Sequence, residues 1–168
     1  MNLSESPVNN WDELIHLSYE DFITRILAKP QLDINFQNPA GETALHLCCQ
    51  YGYLDKFYAL VYMGADYKIK NNFGDTILHY AAFYSRDFVL TQEIAKKYID
   101  PLEKNDKGLS SIDICSSLQD RIFFFNWAQL HKIKLPLTEL SINRDSHLKD
   151  IEHLEVASEA LRRDTESI

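Results

Sequence analysis

Glycine is scarce. Five glycines among 168 residues leave little material for phosphate-cradling loops. No G-x-S-x-G elbow is present, and no pair of carboxylates stands out from ordinary surface charge. Cysteine is scarce too, with only Cys48, Cys49 and Cys115. Adjacent cysteines rarely bridge, and an odd count predicts free thiols in a reducing compartment. No second Cys/His pair stands at finger spacing from "HLCC" (His46–Cys49), so no zinc site is expected. His147 and His153 are six residues apart, the wrong interval for one helix face. Long apolar runs are missing as well. "FYALVYMGA" and "IFFFNWAQL" reach about half of the roughly 20 residues a membrane span needs. The opening "MNLSESPVNNWDE" has no basic segment followed by an apolar one, so no secretory signal is expected. Cytoplasmic location and no membrane association are the expectations.

Positive charge is also short. Lys and Arg number 17 against 25 Asp and Glu, for a net charge of −8. Nucleic-acid binding needs clustered cations to neutralise phosphates, which argues against it. The deficit lies at the ends: residues 1–40 hold six acids and two bases, and residues 135–168 hold eight and four. The centre, residues 41–134, is balanced at eleven of each. Such a profile suits a protein–protein module. Hydrophobic residues at 45% and aromatics at 12% supply enough material for a packed core.

The few glycines are regularly placed. Gly41, Gly74 and Gly108 stand 33 and 34 residues apart. They open "GETALHLCCQYGYLDKF", "GDTILHYAAFYSRDFVL" and "GLSSIDICSSL". Each of the first two units has Thr two residues after Gly, then Leu-His, two small residues and a second apolar run. The chain resembles the ankyrin-repeat family on "GETALHLCC", "GDTILHYAA" and the turn-like "MGADYK". Two full repeats span roughly Asn38–Lys104, with a half-repeat before them ("FITRILAKPQLDINFQN") and a degenerate one after. The resemblance implies an all-α helical solenoid with short loop hairpins and helical end caps. It divides the chain into a capping half-repeat (1–37), the repeats (38–134), and a linker with a capping helix (135–168).

The spacing has physical reasons. The three glycines suit turn positions of positive φ, which only glycine adopts without steric cost. Thr43 and Thr76 stand where helices begin, and their hydroxyls can cap free backbone N–H groups. His46 and His79 can bridge the Thr and the neighbouring loop. Cys48–Cys49 and Ala81–Ala82 fall at small-residue sites where helices pack closely. In the third unit "SSID" (Ser110–Asp113) removes the histidine. A solenoid exposes an apolar face at each end unless capped. Trp11, Leu14, Ile15, Phe22, Ile23, Ile26 and Leu27 are expected to close one end. A helix N-capped by Ser146, with Leu148, Ile151, Leu154, Ala157 and Leu161 on one stripe, would close the other or bind a partner.

An interaction module needs no catalytic group, cofactor or metal, and none is expected. The alternative is an enzyme with a thiol site in the degenerate C-terminal third, pairing Cys115 with His131 or Asp113. In the family, partners usually sit on the concave side, against the loop tips and first-helix ends. Carried over by position, this nominates Tyr51, Lys70, Phe73, Asp75, Phe83, Tyr84, Lys104 and Lys107. The aromatics would anchor a partner protein, since exposed rings can each bury 150–250 Å² and dominate hot spots. The lysines would form a basic rim suited to an acidic or mixed surface. The competing reading places Phe83 or Tyr84 beneath a terminal cap. A monomer acting as adaptor, competitor or inhibitor is expected. The Lys/Asn/Ile/Tyr-rich texture is similar to ankyrin effectors that intracellular bacteria send into host cells, a virulence role that would place the chain in the host.

Overall fold

The computed structural model describes residues 11–29, 31–84 and 86–133. The chain divides into two compact units, residues 1–124 and 125–168. The C-terminal stripe from Ser146 to Leu161, with His147 and His153, lies outside the described residues.

In the first unit the helices come in pairs: α1 (Trp11–Ile15) with α2 (Tyr19–Leu27), α3 (Ala44–Tyr51) with α4 (Leu54–Tyr62), and α5 (Ile77–Tyr84) with α6 (Phe88–Lys97). A short α7 (Ser111–Ile114) leads into α8 (Leu118–Leu130), within which the first unit ends. First helices stack in succession, α1 on α3, α3 on α5 and α5 on α7, while α2 meets α4 behind them. The described residues hold no strand, only one antiparallel bridge between Lys104 and Ser110.

Repetition of sequence becomes repetition of packing. Leu45, Leu60, Ile77, Leu78, Leu90 and Ile94 are buried, together with Phe22 and Phe57. Cys48, Cys49, Ala81 and Ala82 are buried at equivalent positions of α3 and α5, where small side chains let the helices approach. Trp11, Leu14, Ile15 and Phe22 are buried on α1 and α2, which meet α3 and α4, whereas Leu27 projects outward, 70% exposed.

The loop before each first helix is a finger built on one asparagine. Asn38 Oδ1 accepts from the N–H of Ala40 and Glu42, at 3.0 and 2.9 Å. Asn71 Oδ1 holds Phe73 and Asp75, both at 2.9 Å. Asn105 Oδ1 holds Lys107 and Leu109, both at 3.0 Å. Neighbouring fingers are joined by Asn72 N–H to the Ala40 carbonyl (3.0 Å) and Asp106 N–H to the Phe73 carbonyl (3.1 Å).

The histidines bind the units in the same register. Thr43 N–H donates to His46 Nδ1 at 3.2 Å, leaving Nε2–H to donate to the Asp75 carbonyl at 3.3 Å. His79 repeats this with Thr76 N–H (3.2 Å) and the Leu109 carbonyl (3.0 Å). A carbonyl only accepts, so each ring is a neutral Nε2–H tautomer. Asp113 closes the third cap instead: its carboxylate accepts from Ser110 N–H at 2.7 Å and from the hydroxyl at 2.6 Å. An ionised carboxylate has no donor, so Asp113 cannot pass a side-chain bond on to a neighbouring carbonyl as His46 and His79 do.

Burial lowers the His46 pKa, more than the Asp75 carbonyl raises it. Below its ordinary value near 6.5, the unfolded chain takes up a proton that the folded chain refuses. The stability contributed by the neutral ring is therefore complete above pH 6.5 and is lost as pH falls toward the depressed folded value. Urea midpoints measured between pH 7.5 and about pH 5 should decline, and a folded His46→Gln variant should lose this ring's share of the slope.

Lys56 is the unexpected core residue. The third residue of α4, it is buried where α6 places Leu90. Its ammonium donates to the carbonyls of Ile15 and Leu17, the latter at 2.6 Å. It also lies 4.3 Å from the Tyr53 ring centre and 5.5 Å from that of Phe22. A cation from the first repeat thus caps the C-terminal end of α1.

Of the second unit, residues 125–133 are described. Trp127 and His131 stack with ring centres 4.6 Å apart, and His131 Nδ1 lies 2.8 Å from the Trp127 carbonyl. After α8 ends at Leu130 the chain turns at Lys132, in the left-handed region (φ 56°), with Ile133 N–H donating back to the Ala128 carbonyl at 2.9 Å. This is a Schellman-type stop formed without glycine.

Candidate functional site

Exposed aromatic rings collect where the first helices end. Phe83 and Tyr84 close α5, 55% and 36% exposed, so neither is sealed in the core. Their rings meet edge to face at 5.1 Å, and Tyr84 meets Tyr80, one turn earlier, at 5.7 Å. Tyr80 anchors this row to the fingers. Its hydroxyl donates to Glu42 and accepts from Asn71 Nδ2 at 3.1 Å. Burial, then the Glu42 carboxylate, hold its phenol above the ordinary pKa.

Tyr51 ends α3 at the position equivalent to Tyr84 and forms its own group. His16 packs against it at 4.5 Å, Tyr53 stacks on it at 5.8 Å, and His16 Nδ1 lies 3.2 Å from the Tyr53 hydroxyl. Among the described residues, no ring contact joins this group to Phe83 and Tyr84. The turn between them is tight: a Cβ at Gly52 would stand 2.9 Å from the Cβ of Arg86. Phe73 stands at the second fingertip, 57% exposed.

The charged candidates divide into engaged and free. Lys70 pairs with Glu103 at 2.8 Å. Asp75 is tied into the fingers, accepting from Asn105 Nδ2 at 2.7 Å while its backbone N–H meets Asn71. Lys104 and Lys107 are exposed on the third finger with no ion pair among the described residues. Sequence reasoning missed Arg86, exposed in the turn after α5. It also missed Tyr80, the link between fingers and aromatics. Tyr80 was detectable, standing four residues before Tyr84 on the same helix face.

The groups named for thiol chemistry are otherwise occupied. Cys115 is buried, its Sγ lies 3.5 Å from the Ser117 carbonyl, and burial pushes its thiol up to about 12. Asp113 is held by Ser110, and His131 by Trp127. Burial also raises the thiols of Cys48 and Cys49. No group of three or more metal-ligating side chains occurs among the described residues. Nucleophilic sulfur requires thiolate and access. Iodoacetamide at pH 8 should therefore leave all three cysteines unmodified in the native chain and label them rapidly in urea, read by intact mass.

A sequence profile of the family described as ankyrin repeats (3 copies) matches residues 14–105, more than half the chain. The chain belongs to the ankyrin-repeat family. The matched span starts inside α1 and stops before α7, so it takes in the half-repeat and both complete ankyrin units. An ankyrin repeat protein, L92, of Acanthamoeba polyphaga mimivirus is 34% identical over 77 residues. That stretch is 45% of this chain and 18% of the relative, so the chain matches under a fifth of that protein's length. No helix among the described residues is long and apolar enough to cross a membrane. Ankyrin repeats are in general protein-interaction modules, and their typical members are not enzymes.

Proposed function

We propose that this chain is a non-catalytic ankyrin module that binds a partner protein across the concave face of its first helices. Tyr51, Phe73, Phe83 and Tyr84 supply the apolar contacts, and Lys70, Asp75, Lys104 and Lys107 border them. The supporting observation is that Phe83 and Tyr84 stay exposed although Tyr80 ties their row to two fingers. Ordered rings left in water are a feature of surfaces that are covered on binding. Lys70 and Asp75, already engaged within the repeats, act by fixing the surface. The module works as a cytoplasmic monomer, an adaptor, competitor or inhibitor.

The test is affinity capture with the wild-type chain and with a Tyr51/Phe83/Tyr84→Ala variant matched in helicity by circular dichroism. A protein held by the wild type and released by the variant supports the reading. Equal capture by both removes these rings from the interface. Action inside a host cell after translocation from a bacterium rests on compositional texture, and parallel capture from bacterial and host lysates tests it.

A further inference from the structure

We infer that six side chains form one hydrogen-bonded line across all three fingers, and that Tyr80 is the positioning residue through which this line holds the exposed rings of α5. The positioning role rests on the binding face proposed above, whereas the line itself does not.

Each finger asparagine spends its Oδ1 on two N–H groups of its own loop, which fixes the amide and leaves its NH2 to donate elsewhere. Asn38 Nδ2 donates to Glu42 Oε2 at 2.7 Å. Tyr80 donates its hydroxyl proton to Glu42 Oε1 and accepts from Asn71 Nδ2 at 3.1 Å. Asn71 Nδ2 also reaches Asp75 Oδ2 at 3.4 Å, and Asn105 Nδ2 donates to Asp75 Oδ1 at 2.7 Å. Every contact pairs a donor with an acceptor, and each carboxylate accepts on both of its oxygens. The line runs Asn38–Glu42–Tyr80–Asn71–Asp75–Asn105, buried at Asn71 and half-buried at the other five. Partial exclusion of water strengthens such bonds and lets them polarise one another.

Tyr80 is the member that stands on a helix rather than in a finger. Its ring meets Tyr84 at 5.7 Å and the edge of His46 at 5.0 Å, and His46 in turn bonds the Asp75 carbonyl. Phenylalanine would keep those ring contacts and remove the one hydroxyl that both donates and accepts. The line would then part between Glu42 and Asn71, while the backbone bonds Asn72 to Ala40 and Asp106 to Phe73 keep the fingers stacked. Phe83 and Tyr84 would lose their fixed placement against the first finger without losing any surface. Groups held in place before binding cost less to order on binding.

Amide hydrogen exchange by NMR on the full chain, wild type against Tyr80→Phe, tests the line. The N–H groups held by asparagine in the first two fingers, at Ala40, Glu42, Phe73 and Asp75, should exchange about fivefold faster. Those of Lys107 and Leu109 should quicken about twofold, although their asparagine bonds Asp75 and not Tyr80. An unmoved third finger overturns the single line. Equal acceleration throughout α4 would mean general loosening and overturns it too. Peptides selected from a random display library on the wild-type chain, and shown by a Phe83/Tyr84→Ala variant to need the rings, test the positioning role. Tyr80→Phe should weaken them about fivefold. Unchanged affinity overturns that role and leaves the line and the binding face standing. Selection of no ring-dependent peptide overturns the binding face and the positioning role with it, while the exchange rates judge the line by themselves.

Discussion

Lys56→Met should destabilise the chain by about 3 kcal/mol, released chiefly from its N-terminal end. Methionine replaces much of the buried stem, so little cavity is created. What disappears is an ammonium donating to two carbonyls, Ile15 and Leu17. Charge-assisted bonds contribute roughly 1.5–3 kcal/mol each, and carbonyls stranded away from water add a desolvation cost. The cation's own burial, which lowers its pKa, offsets part of this. Trp11, buried beside Phe22 with ring centres 6.5 Å apart, reports the same end. In a Trp127→Phe background its fluorescence should change at lower urea when Lys56 is replaced, ahead of the loss of helix signal. A midpoint within experimental error of the parent would show that water replaces the ammonium without loss.

Gly41→Ala should cost about 3 kcal/mol, and Gly108→Ala only about 1. Both glycines hold positive φ, 81° and 74°, so both alanines incur left-handed strain of roughly 1–2 kcal/mol. The surroundings separate them. A Cβ at Gly41 would lie 2.6 Å from the backbone N of Asn72 and 2.5 Å from its side-chain oxygen. That N–H donates to Ala40, so the clash pushes the second finger off the first. At Gly108 nothing lies within 4 Å. Comparing the two variants by urea titration isolates the cost of parting the fingers from the cost of the dihedral. Equal losses would mean that the finger contact adds nothing.

Much of the fold could be read from three glycines and what recurs behind them. Thr, His and a small pair repeat because a cap, an inter-loop bond and a close helix contact are needed in every unit. The finger asparagines keep the same register, each three residues before its glycine, and were overlooked because an Asn in a loop looks like ordinary polar surface. Lys56 has no periodic counterpart. Its equivalent in α6 is Leu90, and its carbonyl partners belong to a different unit, so local pattern cannot predict its burial. The candidate surface was legible in part. The ends of α3 and α5 follow from the repeat, which located Tyr51, Phe83 and Tyr84. That Lys70 and Asp75 are engaged was not legible, since Glu103 and Asn105 lie some thirty residues downstream and meet them only once the units have stacked.

The asparagine fingers carry an implication for how such a chain changes over generations. Each tip takes its path from Asn38, Asn71 or Asn105 and their bonds to main-chain groups. Phe73 and Lys107 contribute their backbone N–H to that path, and their side chains are exposed. Architecture and specificity are therefore written in different residues. New contact chemistry can be tried at the tips one substitution at a time, while the frame that presents it stays as it was.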